Sequence, residues 1–78
     1  MPRYYFNSQD GEPVSDTEGL DLPDDNAARR EALALLGEIL RYDGRAFWDT
    51  GRFNVVVIKE NGRTVVSLSA HREATRAN

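Results

Sequence analysis

Any chemistry in this chain would have to come from a short set of side chains: Arg29, His71 with Ser67 and Ser69, the acids Asp16, Glu18 and Asp21, and the adjacent rings Phe47 and Trp48. Ser67, Ser69 and His71 are spaced at two, which aligns them on one face of a strand, as a hydroxyl nucleophile and its base would need. They lack a strand-to-helix nucleophile elbow and an orienting acid, so they read as the polar outer face of a surface strand. A lone histidine offers no convergent ligands for a metal and no pocket for a general base. For the acids, setting the first ligand of a calcium loop on Asp16 puts Asp21 where the loop needs glycine. A solvated loop whose last acids cap a helix is the better reading, with Asp16 less important to stability than Asp24 unless it holds Arg29. No catalytic residue, metal site or cofactor is expected.

Arg29 falls inside an apolar helical stripe near its start. Either it buries its stem and sends its head to the carboxylates of the acidic loop, or it holds an anionic ligand at the helix start. The first is favoured, because no glycine-rich phosphate loop accompanies it. Of Phe47 and Trp48, one should close the core and the other stay partly exposed as a partner contact, and periodicity does not say which.

These residues are positioned by elements legible from hydrophobic rhythm. Arg3 to Ser8 alternates as a strand, with Tyr4 and Phe6 toward the core and Tyr5 away from it. Asp24 to Tyr42 has helical spacing, with Ala28, Ala32, Leu33, Leu35, Leu36, Ile39 and Leu40 in one stripe. Asp24 follows Pro23 as the N-cap, Asp25 complements the helix dipole, and Gly44 stands as a left-handed stop. Arg52 to Ala70 reads as two strands joined by a two-residue turn at Asn61-Gly62. Counting outward from that turn sets Ile58 against Val65, Val57 against Val66 and Val55 against Leu68, with Glu60 facing Arg63. Phe53, Val55, Val57, Val66, Leu68 and Ala70 then face the helix, and Val56, Ile58 and Val65 face away. Asp10 to Leu22 is a hairpin or ordered loop, with Val14 in a possible short strand. Asp43 to Gly51 is a loop. The fold class is α+β: a small antiparallel sheet of three to four strands with one amphipathic helix on one face, in the order β-(β)-α-β-β.

Size and charge narrow the possible functions. Seventy-eight residues make a single domain, 1–78, with 71–78 read as a frayed tail. A chain this short buries roughly 60% of the surface its unfolded state exposes. Without cysteine there are no disulfide staples and no thiol chemistry, which favours a cytoplasmic setting. No apolar run reaches signal-peptide or membrane-spanning length, so no membrane association is expected. Residues 1–28 hold seven acids against Arg3, so the net charge of −3 divides into −6 for that segment and +3 for the remainder. The acids repel phosphate backbones and the later basic residues are scattered, so nucleic-acid binding is possible but not favoured.

Met1-Pro2-Arg3-Tyr4-Tyr5-Phe6, the Asp10-Gly11 turn, Asp16-x-Glu18-Gly19-x-Asp21-Leu22, Ala28-Arg29-Arg30-Glu31-Ala32 and Phe47-Trp48-Asp49 together resemble a bacterial family of small domains of unknown function. Gly62-Arg63-x-Val65-x-x-Leu68 extends the likeness, which covers nearly the whole chain. It implies one small α+β domain and carries no catalytic motif. A looser similarity of pattern links the aromatic strand, acidic turn and Ala/Glu/Leu-rich helix to antitoxins of the HicB type.

A single covering helix leaves Tyr5, Val56, Ile58 and Val65 as an apolar set on the other side of the sheet, which suggests association. The expected function is a non-enzymatic protein-interaction module, as a homodimer or with another protein, through that face. The alternative is a nucleic-acid-binding or antitoxin-like regulator using Arg41, Arg45, Arg52 and Arg63 with Trp48 or Tyr5 as a stacking platform. A small enzyme is the least favoured reading.

Overall fold

A computed structural model describes residues 1–9, 13–42 and 44–73. The Asp10-Gly11 turn expected from sequence, Asp43 and residues 74–78 lie outside the described residues. The chain runs β1 (Arg3–Gln9), β2 (Pro13–Val14), β3 (Leu20–Asp21), α1 (Asp25–Tyr42), α2 (Gly44–Thr50), β4 (Arg52–Lys59) and β5 (Thr64–His71). The fold is α+β, with one antiparallel sheet in the order β2-β1-β4-β5, and β3 also paired to β1. Both short strands come from the acidic segment, where the sequence suggested at most one.

Asp24 caps α1: its Oδ1 accepts the Ala27 N–H at 2.8 Å, and its carbonyl takes the first helical bond from Ala28 at 3.2 Å. From there Ala28, Ala32 and Leu36 recur on the buried face at helical spacing, with Leu35, Ile39 and Leu40 half-buried beside them. The buried stripe is narrower than the sequence implied. Leu33 is 64% exposed and Arg29 is exposed, because both lie at the margin of a helix that rests on a small sheet.

The sheet supplies the other half of the core. Tyr4, Val55 and Val57 are fully buried and Phe53 nearly so, directly under Ala28, Ala32 and Leu36. Phe6 pairs with Val57 and Tyr5 with Ile58 across β1 and β4. Between β4 and β5, Val57 opposes Val66, Val55 opposes Leu68 and Phe53 opposes Ala70, in the register counted from sequence.

Near the hairpin tip that register changes. Gly62 N–H donates to the Lys59 carbonyl at 2.8 Å and Lys59 N–H to the Arg63 carbonyl at 2.9 Å, with Gly62 at a φ of 89°. This is a three-residue loop, Glu60-Asn61-Gly62, with glycine in the left-handed position, and not the two-residue turn expected. Ile58 consequently faces Thr64, and the ladder shifts between Val57 and Ile58. Val65 is the extra residue of a bulge, which restores the pairing beyond it. The bulge also carries Val65 toward the core cluster, so it leaves the set assigned to the uncovered face.

The connection after α1 is helical, not a loop. Gly44 opens α2 and does not stop α1 in a left-handed turn; the positive φ belongs to Gly51, whose N–H closes α2 onto the Phe47 carbonyl at 2.7 Å. Phe47 is the ring that packs on the core, while Trp48 is 65% exposed and meets it edge-on at 5.8 Å. At the other end β5 continues through His71, and Arg72 N–H donates to the Gly51 carbonyl at 2.8 Å. A frayed tail from residue 71 is therefore one strand residue too early, and its last part falls outside the described residues.

Candidate functional site

Two carboxylates organise the surface around the sheet. Asp25, in the first turn of α1, accepts the Tyr4 hydroxyl at 2.7 Å and lies 3.3 Å from Lys59 Nζ through the same Oδ1. Its Oδ2 receives Arg63 Nη2, so Arg63 pairs with the helix and not with Glu60 at the hairpin tip. The Arg63 hydrogen bond, then that from Tyr4, holds the Asp25 carboxyl well below its ordinary range. Burial, followed by the hydrogen bond to Asp25, pushes the Tyr4 hydroxyl up to about 12. A phenol so raised stays neutral and is no nucleophile near neutral pH. The cluster therefore locks β1, α1 and the β4–β5 hairpin together.

Asp16 performs a similar task on the edge of β1. Its Oδ2 accepts the Phe6 N–H at 3.1 Å, while its Oδ1 accepts the N–H groups of Glu18 and Gly19, each at 3.0 Å. β2 pairs with Ser8 and Gln9, and β3 pairs with Arg3 and Tyr4. The Asp16 carboxylate fills the gap between them, standing in for a strand partner at Phe6. Hydrogen bonds from Gly19, with those from Phe6 and Glu18, lower its pKa against the opposing effect of burial. Asp16 is thus a structural acceptor and not a solvated loop acid. Arg3 completes the clamp with Nε and Nη2 on Asp21 at 3.1 and 3.2 Å, and Nη1 on the Glu18 carbonyl.

Strand alternation places Arg3, Tyr5 and Asn7 on the face away from the helix, level with Ile58 and Val56. The acidic segment folds over that end of the face. Asp16 N–H reaches Asn7 Oδ1 at 2.9 Å, and a Cβ on Gly19, whose φ is 76°, would come within 2.8 Å of Arg3 Cγ and 2.9 Å of Tyr5 Cε1. Tyr5, Val56 and Ile58 remain together on this face, all half-buried. Thr64, Ser67 and Ser69 lie exposed beside them, toward β5. Asn54 Oδ1, also on this face, is buried without a hydrogen-bond partner.

The family model described as a domain of unknown function, DUF6894, matches residues 3–71, from the first residue of β1 to the last of β5. The chain belongs to the DUF6894 family. Comparison of this DUF6894 domain with curated proteins and with solved structures gives no match.

The remaining sequence candidates are dispersed over the DUF6894 domain. Arg29 does not bury its stem or reach an acidic-loop carboxylate; its Nη1 bonds to Asn26 Oδ1 at 2.8 Å. It borders a shallow depression of about 400 Å³ that also presents Asp24, Asp25 and Lys59, so the lining carries both signs of charge. Trp48 lies on α2, separate from the sheet face. Arg63 is engaged at the start of α1, whereas Arg41 packs over the Tyr42 ring in its last turn. The length of α1 puts about 25 Å between these two arginines. Ser67, Ser69 and His71 share a face, and His71 pairs with Arg52. Among the described residues no helix is long and apolar enough to cross a membrane.

Sequence reasoning missed Asp25 and Asp16 as organising residues. The pattern Asp16-Thr17-Glu18-Gly19 was the available signal for Asp16, since an aspartate commonly accepts backbone N–H groups just after it in a glycine-ended turn. Asp25 had no comparable local signature, because its partners Tyr4 and Arg63 lie 21 and 38 residues away.

Proposed function

We propose that this domain is a non-enzymatic protein-interaction module whose contact surface is the sheet face opposite α1. The observation that carries this reading is the one-sided layering of the fold: α1 covers Tyr4, Val55 and Val57, while Val56 and Ile58 lie half-buried on the other side, beside Tyr5, whose end of the face the acidic segment overlies at Gly19. An apolar centre with polar surroundings is the usual anatomy of a contact surface.

The polar clusters support a structural role over a catalytic one. Both oxygens of Asp25 and of Asp16 are engaged by donors, and Asp21 is held by Arg3. The test is affinity capture from native lysate with the unsubstituted chain and an Ile58→Asp variant as baits, each with and without nuclease. Ile58-dependent, nuclease-resistant capture of a protein supports the reading. Capture that survives Ile58→Asp, or that nuclease abolishes, overturns it.

A further inference from the structure

The two edges of the sheet are unlike. On one side β1 is guarded by the two-residue strands β2 and β3 and by the Asp16 carboxylate between them. On the other side β5 is the outermost strand, eight residues long, and no described strand pairs with its outer side. From Thr64 to Ala70 it contains no charge and no proline, the usual devices that stop an edge from pairing. Its one irregularity, the bulge at Val65, lies near the hairpin tip and leaves Val66 onward regular.

The core also stops short at this edge. Phe53, Val55 and Val57 on β4 are buried, whereas their partners Ala70, Leu68 and Val66 on β5 are only half-buried although they pack on the same cluster. The hydrogen bond from Arg72 N–H to the Gly51 carbonyl fixes which backbone groups face inward. By alternation Ala70, Leu68 and Val66 direct theirs to β4, and Ser67 and Ser69 direct theirs outward. Both serines are exposed.

We infer that β5 pairs with β5 of a second copy, antiparallel about a two-fold axis at Leu68, so that the two sheets become one. The sequence Val66-Ser67-Leu68-Ser69-Ala70 is symmetric in character about Leu68. In that register Leu68 meets Leu68, Val66 meets Ala70, and Ser67 meets Ser69, with apolar residues on the helix side and serines on the other. Ser67 of each copy exchanges both backbone hydrogen bonds with Ser69 of the other. No like charges are brought together within the paired segment, and the half-buried Leu68 and Val66 gain cover. A two-fold axis normal to the sheet keeps both helices on one side, which joins the two open faces into one broad surface. The role of that joined surface rests on the interaction-module reading; the dimer itself rests on the edge alone.

Sedimentation of the full chain from about 10 μM to 1 mM, a span that populates dimers of micromolar to submillimolar dissociation constant, tests this directly. A concentration-dependent dimer is expected. Ser69→Pro removes an outward N–H and leaves the β4 ladder intact, so it should give a folded monomer, while Ile58→Asp should still dimerise. Amide exchange at Ser67 and Ser69 in the unsubstituted chain should slow as concentration rises, a readout that does not depend on either variant folding. A monomer at every concentration, or exchange rates independent of concentration, overturns the proposal. So does a dimer lost in Ile58→Asp and kept in Ser69→Pro, since that dimer uses the open face.

Discussion

The Tyr4 hydroxyl donates to Asp25 Oδ1 at 2.7 Å, joining the middle of the core to the first turn of α1 across 21 residues of chain. Tyr4 is fully buried, so this bond satisfies a polar atom that would otherwise be stranded beneath the helix.

Burial of Tyr4, followed by its bond to Asp25, and the donors around Asp25 and Asp16 tie stability to pH on both sides of neutrality. Folding raises the Tyr4 pKa from 10.0 to about 12, so its contribution is complete below 10 and is lost as pH climbs toward 12. Asp25 and Asp16 have lowered pKa values, so theirs is complete above the ordinary carboxylate value of 3.8 and is lost as pH falls below it. Denaturant midpoints should be level between these limits and decline outside them. Tyr4→Phe should remove most of the alkaline decline and leave the acid limb, as read from unfolding curves at stepped pH.

Asp24 and Asp16 should differ in the reverse of the order read from sequence. Asp24→Ala loses one capping bond and should cost about 1 kcal/mol. Asp16→Ala removes the acceptor of the part-buried N–H groups of Phe6 and Gly19 and of the exposed one of Glu18 and should cost about 2 kcal/mol, with Asp16→Asn intermediate because it retains an acceptor. Urea denaturation of the three variants checks the order.

Leu36 and Leu33 separate the buried stripe of α1 from its margin. Leu36→Ala should destabilise by about 2–5 kcal/mol, enough to unfold much of so small a domain. Leu33→Ala should change stability by no more than about 0.5 kcal/mol. Thermal unfolding of both variants distinguishes a core helix with this rotation from one turned toward Leu33.

What was legible in the sequence was what local spacing controls. Asp24 beside Pro23 announced the cap, Asn61-Gly62 announced the hairpin, and alternation put Val55 and Val57 inside and Val56 and Ile58 outside. The three-residue loop and the bulge at Val65 escaped because they offset one another: one extra residue in each leaves Val57 opposite Val66, so the pattern beyond looks unbroken. Arg29 was misplaced because a helical wheel has no knowledge of where the sheet ends. The Asp25 cluster and the Asp16 insertion depend on residues distant in the chain, which no periodicity encodes. The unequal guarding of the two sheet edges became visible only once the strand order was known.

The central claim, that the face bearing Ile58 is a surface for a partner and not a part of the core, is tested most directly by the unfolding free energy of Ile58→Asp. Ile58 lies between Tyr5 and Thr64 on the side away from α1, so the variant should fold and lose only about 1 kcal/mol, the scale of a strand-propensity change. A loss beyond about 3 kcal/mol, or failure to fold, would mark Ile58 as core and contradict the account.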